Sequence, residues 1–122
     1  MTNPQDRRHL EIKDETDRTV AEAEVTTALG PDGTVRTSMH ADPYAPAGYR
    51  ASLVDAVMDL PEVQASDRVE AAVPYGDGES LERLRERTKD AQTRAAGATT
   101  LLDANVPNIA EPGPEPGDEP LP

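Results

Sequence analysis

The sequence predicts a two-layer α/β (α+β) sandwich with elements in the order ββαβαβ, a four-stranded mixed sheet with two helices on one face. Three observations carry this expectation. Residues 21–41 alternate apolar and polar side chains on either side of a glycine–proline turn, as an antiparallel hairpin with one buried face does. Two stretches, about 48–60 and about 80–96, space their apolar residues as helices do. Between them, residues 68–106 read as strand, acidic turn, charged helix, glycine stop and second strand. Such a βαβ unit requires two parallel strands and a right-handed crossover.

Residues 1–17 are polar apart from Leu10 and Ile12, and read as a disordered or frayed N-terminal segment, at most a frayed edge strand. The single domain is expected over 18–106. Its hairpin places Ala21, Ala23, Val25, Thr27 and Leu29 on one face of the first strand and Val35, Thr37 and Met39 on one face of the second. Gly30-Pro31-Asp32-Gly33 supplies the turn, with proline presetting φ and glycine accepting positive φ. A breaker-rich connection, 42–48, leads into a helix that buries Leu53, Val54, Val57 and Leu60 and stops at Pro61. Residues 68–74 alternate again as a half-buried strand. The second helix, 80–96, lines up Leu81, Leu84, Thr88, Ala91 and Ala95, and Gly97 ends it before a last strand at 98–106. Residues 107–122 hold 6 of the 12 prolines and read as a disordered acidic tail.

The formal charge of −12 divides into −2 over 1–17, −6 over 18–106 and −4 over 107–122. An acidic surface disfavours nucleic acid, whose phosphates need a cationic face, and favours a basic protein partner or self-association as a homodimer. There is no cysteine, which removes disulfides, thiolate metal sites and cysteine nucleophiles. No apolar run approaches the roughly 20 residues that span a bilayer, so the expected setting is cytoplasmic, with no membrane partner.

The motifs are sparse. Tyr75-Gly76-Asp77-Gly78-Glu79-Ser80 follows a strand and opens a helix, where phosphate-binding loops lie. A dinucleotide fingerprint needs a third glycine where Leu81 stands, and no P-loop is present. Asp77 and Glu79 would repel phosphate and are the residue types that cap a helix start. Arg83, Arg85, Arg87, Lys89 and Arg94 crowd the second helix, with Arg83, Arg87 and Arg94 on one face. Acid-before-base spacings such as Glu79–Arg83 and Asp90–Arg94 make this a solvated helix face rather than an RNA surface. His40 and Asp42 are too few for a metal site, and His40 alone is a thin basis for acid–base catalysis.

One constellation stands out. If strands 34–41 and 68–74 run parallel, their carboxyl ends share an edge, and open α/β sheets bind ligands there. From that edge emerge His40, Asp42, Tyr44, Tyr49, Tyr75, Asp77 and Glu79, including all three aromatic residues of the chain. They form the expected binding rim. No catalytic residue, cofactor or metal is assigned. The leading functional expectation is a small acidic interaction or accessory module without catalytic activity. The alternative is a small-molecule or phosphate-ligand domain, catalytic or purely binding, that uses the rim around His40 and the 75–80 turn.

Overall fold

The computed structural model describes residues 5–28 and 33–107. Six strands and three helical segments follow in the order β1 (Gln5–Lys13), β2 (Thr19–Ala28), β3 (Thr34–Ala41), α1 (Tyr49–Met58), α2 (Pro61–Gln64), β4 (Arg68–Pro74), α3 (Gly78–Arg87), β5 (Lys89–Ala96) and β6 (Thr99–Asn105). They build one mixed sheet of order β1-β2-β3-β4-β6-β5.

The centre follows the sequence pattern. β2 and β3 pair antiparallel and β3 and β4 pair parallel, as the α1 crossover demands. Their alternating apolar residues, Ala21, Ala23, Val25, Val35, Met39, Val69, Ala71 and Val73, are buried on one face. Against that face pack Leu53, Val54, Val57 and Met58 of α1, Val63 of α2 and Leu84 of α3. Pro61, expected only to stop α1, also starts α2 as its first residue, where its missing N–H costs nothing.

Two corrections change the sheet from four strands to six. The first is β1, which pairs with β2 from Gln5↔Ala28 to Lys13↔Thr19 and brings Leu10 and Ile12 against the core. The second lies in the stretch expected to be the distal half of a helix over 80–96. α3 ends at Arg87, Thr88 turns extended with its Oγ1 donating to the Leu84 carbonyl at 2.7 Å, and Lys89–Ala96 form β5. Continuing the helix would have laid only Ala91 and Ala95 on the sheet, while leaving the outer edge of β6 unpaired. Pairing that edge satisfies a row of backbone donors and acceptors, which outweighs helix propensity. Gly97, read as a helix stop, instead opens the two-residue β5–β6 turn at φ +66°.

The second crossover is therefore absent. β6 runs antiparallel to β4, from Arg68↔Asn105 to Pro74↔Thr99, and separates it from β5. Among the described residues, no helix is long and apolar enough to cross a membrane. Most of the expected 30–33 turn and of the 107–122 tail lies outside the described residues.

Candidate functional site

The parallel pair β3/β4 opens at its carboxyl ends. The ladder runs from Thr34↔Arg68 to Ser38↔Ala72 and stops there, although β3 continues to Ala41 and β4 to Pro74. Beyond the parting lies a cleft of about 520 Å³, whose walls include Ala41, Pro43, Arg50, Tyr75, Asp77 and Glu79. The first turns of α1 and α3 both border it, through Arg50 and through Gly78 and Glu79, because each helix follows one of the two parted strands.

Carboxylates hold both helix starts. Asp77 is the N-cap of α3: its Oδ1 accepts from the Ser80 N–H at 3.1 Å and its Oδ2 from the Ser80 hydroxyl at 2.7 Å. α1 has no cap of its own, since its N-cap is Gly48, held at φ +101°. Glu79 reaches across from α3 instead, and its Oε2 accepts from the Gly48 N–H at 2.8 Å and the Ala51 N–H at 3.1 Å. Arg50 spans the floor, with Nε 3.6 Å from Asp77 Oδ1 and Nη2 donating to the Asp42 carbonyl at 3.1 Å. The Asp77 side chain is only 6% exposed, so this ion pair and cap form a fixed part of the wall.

The residues expected at the rim divide into three groups. Tyr75, Asp77 and Glu79 line the cleft, and Asp42 adjoins it through the bond from Arg50. Asp42 also accepts from the Tyr44 N–H at 2.9 Å and pairs with Arg18 at 3.2 Å. Tyr44, 90% exposed, and Tyr49, the first residue of α1, are not among the lining residues. His40 projects from the opposite face of β3, where its Nε2 lies 3.2 Å from Glu22 Oε2. Arg50 was missing from the expected set. Its only sequence signal is a basic residue in the first turn of a helix, where a cation is out of place unless a carboxylate meets it.

Two of the three arginines of α3 are engaged by the neighbouring helix rather than free on a solvated face. Arg83 and Arg87 both bind Asp55 of α1, at 2.8 and 2.7 Å, and Arg87 also binds Asp59 at 2.6 Å. The hydrogen bond from Arg83, joined by that from Arg87, holds the Asp55 carboxyl below the usual carboxylate range against a modest push from burial. The hydrogen bond to Asp55 raises the Arg83 guanidinium, and the bond to Asp59, with a lesser one to Asp55, raises that of Arg87. Lys89 and Arg94 lie on β5, so the common face expected for Arg83, Arg87 and Arg94 does not form.

No protein-family model matches the sequence, and no curated protein matches it. Solved structures do share its fold. An acetyltransferase-class protein from Sphaerobacter thermophilus superposes with a TM-score of 0.62 at 14% identity, over 88% of this chain and 68% of its own. A GNAT superfamily phosphinothricin acetyltransferase from Sinorhizobium meliloti, in complex with acetyl-CoA, gives 0.56 at 13%, over 80% and 60%. A ribosomal-protein-S5-alanine acetyltransferase from Vibrio fischeri gives 0.60 at 14%, over 85% and 63%. The chain thus has a GNAT-like α+β fold and spans between 60% and 68% of these three proteins. The expectation of a non-catalytic interaction module is contradicted by these neighbours, each of which is named as an acetyltransferase. They back the alternative, a small-molecule or phosphate-ligand domain, better than the leading expectation.

Proposed function

We propose that this chain is a small-molecule-binding domain that takes an amine-bearing ligand, the acceptor side of an acyl-transfer reaction, in the strand-end cleft. The parting of β3 and β4 after Ser38 and Ala72 carries this reading. It opens a recess at the carboxyl ends of parallel strands, the position where α/β sheets hold ligands. The β4-facing edge of residues 39–41 lies outside the ladder there, so its main-chain groups are placed to meet a ligand.

Charge selects the ligand class. Asp77 and Glu79 set two carboxylates beside the single cation Arg50 in the cleft wall, an arrangement that attracts an ammonium group and resists an anion. Tyr75, 70% exposed at the mouth, offers a rigid apolar surface to the ligand's carbon chain.

Acetyl-CoA, which the Sinorhizobium meliloti neighbour holds, tests the cleft from the other side. Its diphosphate calls for helix N-terminal amides. Those of Gly48 and Ala51 already donate to Glu79, and Asp77 places a second carboxylate nearby. The anionic part of the coenzyme does not fit while Glu79 keeps this position.

NMR titrations of the full chain with putrescine and with acetyl-CoA test the proposal. Putrescine should shift the amide resonances of 75–79 and of Arg50, and acetyl-CoA should leave them in place. In Glu79→Ala the amine should bind several-fold more weakly, while acetyl-CoA should now move the Gly48 and Ala51 resonances. If putrescine leaves the cleft unperturbed, the amine reading fails. Acetyl-CoA binding the wild-type cleft as tightly as Glu79→Ala would overturn the exclusion by Glu79.

A further inference from the structure

The sheet face turned away from the helices gathers both histidines of the chain. The register sets His9 opposite Glu24, Glu11 opposite Glu22, and Glu22 opposite His40, across the three strands β1, β2 and β3. Residues two apart on a strand share a face, and Leu10 and Ile12 turn to the core, so His9 and Glu11 both stand on the open side. His9 Nε2 lies 3.3 Å from Glu11 Oε2 and 3.2 Å from Glu22 Oε1, while its Nδ1 is 3.9 Å from Glu24 Oε2. The donor atoms of His9, Glu11 and Glu22 all fall within 4.8 Å of one another.

The second oxygen of each central carboxylate is already held. Thr19 Oγ1 donates to Glu11 Oε1 at 3.2 Å, and His40 Nε2 lies 3.2 Å from Glu22 Oε2. Each glutamate therefore keeps one oxygen toward His9 while a neighbour fixes the other. That is the outer-shell arrangement which orients carboxylate ligands around a metal.

Electrostatics argue in the same direction. Carboxylates directly opposite each other on antiparallel strands repel. Glu11 and Glu22 nonetheless face each other, with Glu24 beside them, and among the described residues their ion-pair partners are histidines alone. With neutral imidazoles the patch is an uncompensated group of three negative charges. An ion seated between the donors would relieve it.

From this the geometry points to a divalent transition-metal site, with His9 Nε2, Glu11 and Glu22 as ligands and Thr19 and His40 as positioning residues. In tetrahedral coordination with bonds of about 2.0–2.2 Å, donor atoms stand about 3.3–3.6 Å apart. The two separations from His9, 3.3 and 3.2 Å, are close to that spacing, so an ion enters with little backbone movement. One imidazole with two carboxylates suits zinc or another first-row divalent ion better than calcium or magnesium, which prefer oxygen alone. The His9 side chain is 45% exposed, so the remaining coordination positions face water.

Isothermal titration of the full chain with zinc chloride tests the site, alongside His9→Ala, Glu11→Gln and His40→Ala. Wild type should bind one equivalent. His9→Ala and Glu11→Gln should each weaken that binding at least tenfold, and His40→Ala about threefold, because it acts on Glu22 rather than on the ion. Shifts of the His9 ring resonances on adding zinc should appear in wild type, need more zinc in His40→Ala and need most in Glu11→Gln. The proposal is overturned if wild type binds no more zinc than His9→Ala does. Stoichiometric binding that both His9→Ala and Glu11→Gln leave unchanged would overturn it equally. All three substitutions fall on the open sheet face, and Glu11→Gln keeps the side-chain shape should His9→Ala perturb the strand.

Discussion

Thr37 faces the core between Val35 and Met39, and its buried hydroxyl has no hydrogen-bond partner among the described residues. A buried polar atom left unpaired costs about 1–3 kcal/mol, and valine has nearly the same shape without it. Thr37→Val should therefore raise stability by about 1 kcal/mol in urea unfolding. A loss of stability would show that the hydroxyl has a partner in solution. Glu79 shows the limit of reading single residues. That an acid in the 75–80 turn would stabilise a helix start was legible from the sequence, and Asp77 does so for α3. That Glu79 caps a different helix was not, because its target Gly48 lies 31 positions away and only the shared strand-end edge brings the two together.

α1 and α3 are tied by Asp55 and Asp59 on one side and Arg83 and Arg87 on the other. Because Asp55 titrates below its unfolded value near 3.9, its contribution is complete above that value and is lost as pH falls through the folded one. Asp55→Asn should cost about 1 kcal/mol at pH 7, a figure discounted for its partial exposure to water. The gap between mutant and wild type should narrow steadily as pH falls below about 4, as followed by thermal unfolding across pH. A gap that stays constant below that pH would assign the loss to packing instead. The helices and central strands were legible because their periodicity agrees with what they bury. The segment 89–96 was not, because its alanines and charges satisfy a helical pattern as readily as an edge strand. There the deciding partner was β6, and no local pattern announces it. β1 was underread for a related reason: Leu10 and Ile12 alone carry its signal.

Across the molecule, the sheet is covered on one side and open on the other, and β1 and β5 form its two edges. Amide exchange should follow that geometry, slowest in β3, β4 and β6 and fastest in β1 and β5. Edges as slow as the centre would indicate that they are covered in solution, as a second copy would cover them. The general architecture of sheet, covering helices and parallel β3/β4 pair followed from the sequence, and with it the edge where the cleft lies. Strand alternation in 34–41 already sets His40 on the face opposite Val35, Thr37 and Met39. What did not follow was β1, whose His9 and Glu11 join Glu22 and His40 on that face.

β6 is the last described strand in chain order, yet it lies inside the sheet, between β4 and β5. As the polypeptide leaves the ribosome, β1 to β4 can assemble while one flank of β4 still lacks its neighbour. That flank presents unsatisfied backbone groups to any other nascent chain until residues 99–105 are released. The closing step then docks a whole hairpin onto that flank, by its second strand, rather than adding a lone strand. A ribosome stalled before that point would display a half-sheet primed to pair with the wrong molecule. This makes the delivery of β6, rather than the collapse of the core, the vulnerable moment in its biogenesis.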